Sequence, residues 1–136
     1  MITTALIFAA GKGTRLKPFT DFHPKALALV NEIPLLERNI KYLKSYGIKK
    51  LVINVHHFGE QIVDFLEKKD NFGLEIHISD EREELLETGG GLLFAQKFLE
   101  NEKDFLIMNA DILTDMNIGD FIQYHLQHQN IATLSA

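Results

Sequence analysis

The chain has 136 residues, of which 46% are hydrophobic and 24% charged, with no cysteine and a formal net charge of -5 at pH 7. That length falls in the usual range for one domain, and a domain of this size buries roughly two thirds of the surface its unfolded chain would expose, so it fills a core without disulfide or metal staples. The lack of cysteine excludes a disulfide framework and suits a reducing cytosol. The acidic balance argues against a nucleic-acid partner, which needs clustered Lys and Arg on one face. The apolar run over residues 5–10 has no basic stretch before it and is too short to span a bilayer, so it reads as neither signal peptide nor membrane anchor.

In chain order, residues 3–10 form a nearly continuous apolar run that ends in glycine, the pattern of a strand buried on both faces of a parallel sheet. From residue 11 to residue 30 no helical period appears, and Pro18 and Pro24, with Thr20, Asp21 and His23, mark a long loop. A helix is expected from about Ile33, with Pro34 in its first turn, Leu36, Ile40 and Leu43 on one stripe, and Gly47 as its C-terminal cap. Residues 51–55 read as a second strand. Phe58, Ile62, Phe65 and Leu66 repeat at helical spacing, and residues 74–78 form a third strand with polar Glu75 and His77 alternating. The glycines at 89–91 open a shorter helix carrying Leu93, Phe94 and Phe98, after which residues 104–108 read as a fourth strand. Ile118, Phe121, Ile122 and Leu126 form a last helical stripe behind Asn117 as cap, and residues 131–134 are expected to start one more strand. With nothing after it to cover that strand, the chain reads as truncated.

This alternation predicts an α/β fold, doubly wound, with a mostly parallel sheet and helices on both faces, because parallel strands need long crossovers and the helices supply them. Ligands of such sheets bind beyond the carboxyl ends of the strands. The loops of interest are therefore residues 11–30, 56–59, 80–91 and 109–115.

Gly11-Lys12-Gly13-Thr14-Arg15 follows the first strand directly. Two glycines let backbone N–H groups converge on phosphate oxygens, while Lys12 and Arg15 neutralise charge. The loop lacks the third glycine and immediate helix of a dinucleotide fingerprint, and the Gly-Lys-Ser/Thr ending of a Walker loop. Taken alone it reads equally well as a glycine-rich turn with two solvated cations. Further along, Pro24 restricts the residue before it and places Lys25 where a second phosphate could sit.

Taken together, residues 6–15 with Pro18, Thr20 and Pro24-Lys25 closely resemble the signature of the sugar-1-phosphate nucleotidyltransferases. The resemblance implies a Rossmann-like nucleotidyltransferase fold. It also implies that Ala9, Ala10, Gly11, Lys12, Gly13 and Thr14 bind nucleotide, that Arg15 contacts the triphosphate, and that Lys25 contacts phosphate near the reacting centre. The family carries a segment that reads the base, a role that falls here on Thr88, Gly89 and Gly90. The Glu-Thr-Gly-Gly-Gly form of that segment is most similar to the uridylyltransferases of N-acetylmuramate-1-phosphate. Asp111 leaves the fourth strand where a carboxylate reaches a magnesium ion shared with substrate phosphates, and the resemblance makes it the Mg2+ ligand. Asp115 is a weaker candidate. The family pattern before this aspartate is usually glycine, so Ala110 is a departure.

The implied reaction joins a nucleoside triphosphate and a sugar-1-phosphate, by uridylyl transfer ahead of guanylyl transfer to mannose-1-phosphate. The family's second metal-binding aspartate and its sugar-binding part have no counterpart in residues 1–136, which are read as the nucleotide-binding part. A non-catalytic nucleotide-binding module is the reading from another class. Adjacent His56 and His57 point to opposite faces of an extended segment and do not clasp one ion. His125 and His128 lack a third ligand in view, and the acidic run at 80–84 is most simply a solvated loop.

Overall fold

The computed structural model describes residues 2–11, 14–81 and 88–135, without the side chains of Thr14, Thr88 and Gly89. Lys12 and Gly13 lie outside the described residues.

The first strand, β1 (Thr4–Phe8), is followed by a long loop built from three 3-10 turns at Thr14–Leu16, Phe19–Asp21 and Lys25–Leu27. A two-residue antiparallel pair, β2 (Leu29–Val30) and β3 (Ile33–Pro34), closes the loop and leads directly into α1 (Leu35–Ser45). Pro34 therefore precedes the helix instead of occupying its first turn. Gly47, at φ +91°, ends α1 as expected: its N–H donates to Lys44 O and that of Ile48 donates to Leu43 O, the two bonds of a Schellman cap. Next come β4 (Lys50–Val55), α2 (Gly59–Lys68) and β5 (Glu75–Asp80). The helix expected after the glycines forms as two pieces, α3 (Thr88–Phe94) and α4 (Gln96–Leu99). β6 (Leu106–Asn109) and α5 (Ile118–His128) follow, and the Asn117 side chain caps α5 by accepting from Asp120 N.

The four main strands form one parallel sheet in the order β5-β4-β1-β6. The chain thus moves outward from β1 to β4 and β5, then returns to place β6 on the other side of β1. Right-handed crossovers then require helices on both faces. Ala5, Ile7, Leu51, Ile53 and Val55 pack under Leu36, Ile40, Ile62, Leu66, Ile118 and Ile122 of α1, α2 and α5. Leu6 and Val52, facing the opposite way, pack under Ala95 and Leu99.

The strand expected at residues 131–134 does not form. Ile131 and Leu134 are exposed, and Thr133 is turned back towards α5, its hydroxyl 2.8 Å from His125 Nδ1 and 3.1 Å from Asn130 Nδ2. A four-residue apolar run does not say which partner it will find, and here local polar bonds take the place of a ladder.

Where α1 meets the end of α2, the Glu37 carboxylate accepts from Lys41 Nζ at 3.0 Å and lies 3.6 Å from Lys69 Nζ. The Lys41 hydrogen bond, helped by both positive charges and opposed by burial, holds the Glu37 pKa below its ordinary value of 4.5. A lowered carboxyl pKa contributes stability that is complete above the ordinary value and lost as pH falls through the lowered one. Both lysines are well exposed, so screening keeps the effect small. Glu37→Gln should lower unfolding free energy by less than about 1 kcal/mol at neutral pH. In denaturant titrations the difference should shrink as pH falls below the ordinary value of 4.5. An unchanged gap would contradict the ion pair.

Candidate functional site

The reversal of strand order falls between β1 and β6, and the loops leaving their carboxyl ends meet there. Lys25 Nζ and Asp111 Oδ2 stand 2.7 Å apart, both side chains partly exposed. The structure therefore joins two residues separately singled out from the sequence. Pro24 is buried in extended geometry and Ala26 is 2% exposed, so the 3-10 turn that presents Lys25 is anchored on either side of it. On the Asp111 side, Ala110 is pinned through both backbone groups. Its N–H donates to Phe8 O at 3.0 Å, extending the β1–β6 pairing, and its carbonyl accepts from the buried Asn39 side chain at 2.7 Å. Ala110 is buried and has no positive φ, so this backbone course does not call for the glycine usual at this place in the family it resembles.

Arg15 is exposed in the first 3-10 turn of the same loop and takes no part in the Lys25–Asp111 pair. At the root of the loop, Ala9 and Ala10 are buried, and Ala9 N–H donates to Asn54 Oδ1 at 2.6 Å. Gly11 is exposed, with nothing within 4 Å of where a Cβ would stand. Thr88, Gly89 and Gly90 form the first turn of α3.

Asn54 and Asn39 were missed from the sequence. Asn54 interrupts the apolar run of β4, and a polar residue in a central strand is a usable signal because a buried amide must find partners. Asn39 gives no such signal, since a polar residue beside an apolar helix stripe is ordinary.

Contacts from α2 and its entry hold the long loop in place. The His57 ring donates through Nε2 to Thr20 O at 2.6 Å, and Gln61 Nε2 donates to Phe22 O at 2.7 Å. His56 instead donates through Nδ1 to Glu81 O at 2.5 Å, so the adjacent histidines serve different loops. His125 sits between Asp104 and Thr133, while His128 lies against Tyr124.

Among the described residues no group of three or more His, Cys, Asp or Glu converges on one point. Magnesium usually retains waters and takes only one or two carboxylates, the rest of its shell being substrate phosphate, and Asp111 alone fits that donor chemistry. Asp115 points elsewhere: with Arg38, Asn39, Tyr42, Leu113 and Thr114 it lines a pocket of about 590 Å³ between α1 and the segment after β6. Burial there, with the neighbouring Tyr46 and Asp115, pushes the Tyr42 hydroxyl pKa up, against a hydrogen bond from Thr114.

The family model described as nucleotidyl transferase matches residues 4–136. The chain belongs to that family. It is 40% identical over 113 residues to the N-acetylmuramate alpha-1-phosphate uridylyltransferase of Neisseria meningitidis serogroup B, covering 83% of this chain and 48% of that protein. It is 33% identical over 131 residues to a mannose-1-phosphate guanyltransferase of Gibberella zeae, covering 95% and 36%. Among solved structures, HddC from Yersinia pseudotuberculosis superposes with a TM-score of 0.81 at 28% identity, covering 92% of this chain and 55% of that one. The chain thus spans half or less of the curated relatives it matches here. Among the described residues, no helix is long and apolar enough to cross a membrane.

Removing the bond from Asn39 strips Ala110 O of a buried donor. Asn39→Ala should destabilise the fold by about 1–3 kcal/mol in urea titrations, the cost of an orphaned buried group. A loss within about 0.5 kcal/mol, as for an ordinary surface change, would show that water or relaxation replaces the bond.

Proposed function

We propose that residues 1–136 are the nucleotide-binding part of an enzyme that transfers a nucleotidyl group from a nucleoside triphosphate to a sugar-1-phosphate, releasing pyrophosphate. The Lys25–Asp111 pair at the strand reversal, in a family member, carries this reading. Uridylyl transfer to an amino-sugar phosphate is the preferred form, supported by the Neisseria relative and by Glu87-Thr88-Gly89-Gly90-Gly91. Guanylyl transfer to mannose-1-phosphate is the second form, favoured by the Gibberella relative. The sugar-binding part lies outside these residues on this reading, and the site of action is the cytoplasm.

In the reaction, an oxygen of the sugar phosphate forms a bond to the alpha phosphorus as the bond to pyrophosphate oxygen breaks. The protein's work is to align these groups and to neutralise growing negative charge, without covalent catalysis or a general base. Ala9, Ala10, Gly11, Gly13 and Thr14 shape the cradle, and Lys12 and Arg15 face the leaving pyrophosphate. Lys25 sits between the two substrates. Its ammonium spends the nucleotide-free state on Asp111 and turns to phosphate when the triphosphate arrives. Thr88, Gly89 and Gly90 lie against the base. Asp111 would hold Mg2+, which when bound supplies charge neutralisation at the alpha phosphate.

In the complete enzyme, Arg15→Ala, Lys25→Ala and Asp111→Asn should each lower kcat by about 10²–10³, the scale of a lost electrostatic stabiliser. Turnover within about tenfold of wild type would remove that residue from its role. For the chain itself, calorimetric titration with UTP, GTP, CTP and dTTP, with and without magnesium, should find one triphosphate bound in a magnesium-dependent manner and lost in Arg15→Ala. Binding by the chain with no transfer by the complete protein would favour a non-catalytic nucleotide-binding module. No binding by either would overturn the phosphate-loop reading.

A further inference from the structure

We infer that Asn54 is a positioning residue that couples the phosphate loop to the base-reading helix, so that the two move as one frame. The role rests on the nucleotide-binding reading above, but the geometry behind it is independent of any ligand. Asn54 is 3% exposed near the end of β4, on the sheet face that carries α3 and α4. Its Oδ1 accepts the N–H of Ala9, the first residue after β1, at 2.6 Å. Its Nδ2 donates at 2.9 Å to Oε2 of Glu81, the residue after β5, which is itself 2% exposed.

The third arm is α3. A Cβ built on Gly91 would stand 3.3 Å from Asn54 Nδ2, 3.4 Å from Glu81 Oε2 and 3.4 Å from Phe8 Cε1. The helix therefore packs against the Asn54–Glu81 bond, and a Cβ at position 91 would press on Asn54 Nδ2 by a few tenths of an ångström. One amide thus joins the root of the Gly11–Arg15 loop to the segment after β5 and, through Gly91, to the turn holding Thr88–Gly90. A ligand that spans from triphosphate to base needs both ends at a fixed separation, and this bridge sets it.

The bridge has a polarity that can be reversed. In Asn54→Asp one carboxylate oxygen still accepts from Ala9, but the other faces the Glu81 carboxylate, and the bond is lost. Adding Glu81→Gln restores it, because the amide introduced at position 81 donates to the carboxylate introduced at position 54. Two readouts on the 136-residue chain separate positioning from simple stability: backbone amide exchange, and the affinity for UTP with magnesium. Asn54→Asp should speed exchange by about tenfold or more both at Ala9 and at 92–94 in α3, while the β4 amides of Val52 and Ile53 stay protected. It should weaken UTP binding by about tenfold, and the double variant should recover both readouts to within about threefold.

Faster exchange at Ala9 alone, or a double variant no better than Asn54→Asp, would overturn the coupling. If the unaltered chain binds no UTP, the uridylyl form of the nucleotide reading fails, yet the exchange pattern still decides whether the two loops are joined. Gly91→Ala gives a check that leaves both bridge residues in place. It should loosen α3 and Ala9 together, and loosening of α3 alone would likewise count against the frame.

Discussion

The reversal of strand order beside β1 is the constraint from which the site follows. Because crossovers between parallel strands are right-handed, a chain that lays down β1, β4 and β5 in one direction and then returns to β6 must send its helices to opposite faces. The loops after β1 and β6 both run to helices on one face, α1 and α5, and the crevice lies where they meet beyond the carboxyl ends of these adjacent strands. No residue choice is needed to make that crevice. Residue choice decides what stands in it, and here it is an ammonium and a carboxylate from loops 86 positions apart in sequence, held at 2.7 Å.

That ion pair does little to hold the fold together. Its side chains are 29% and 39% exposed, and pairs so open to solvent are worth roughly 0–1 kcal/mol. The fold therefore positions the pair, and the reverse does not hold. Stability comes instead from the two apolar layers, where Leu6, Ile7, Leu36, Ile40, Leu51, Ile53 and Ile62 are fully buried. On the proposed reading a weak, solvated pair suits a phosphate site, since both partners can exchange one another for ligand without unsettling the core.

The elements were legible in the sequence wherever one period dominated. The apolar runs of β1 and β4 and the stripes of α1 and α2 each state their own burial, whereas in α5 Ile118 and Ile122 are buried but Leu126 is exposed; Gly47 and Asn117 mark helix ends by mechanisms that act locally. Order within the loop between β1 and β2 was not legible. Its turn at Phe19–Asp21 is held by contacts from α2 and its entry, through His57 and Gln61, which no local pattern announces. The strand expected at residues 131–134 failed for a related reason, since pairing is decided by the neighbour and not by the run. Of the candidate site, Lys25 and Asp111 were singled out by motif and strand end, and the structure brings them into contact. Lys12 and Gly13 fall outside the described residues.

What the motifs did not reveal is how the crevice keeps its shape, and the two buried asparagines answer that. The groups they bind are the backbone of the first residues beyond β1 and β6, where the sheet's own ladder runs out. Asn39 reaches Ala110 O from the α1 face, and Asn54 reaches Ala9 N–H from the α3 face. An apolar side chain at either place would leave a buried backbone group without a partner, at a cost of about 1–3 kcal/mol. A carboxylate could serve Ala9 N–H but could not donate to Ala110 O, and it would have to be desolvated as well. An amide both accepts and donates while remaining neutral, which suits it to pin loops of either polarity from inside the core. The crevice is thus braced from both faces of the sheet by neutral groups, while its charged residues stay free to respond to a ligand.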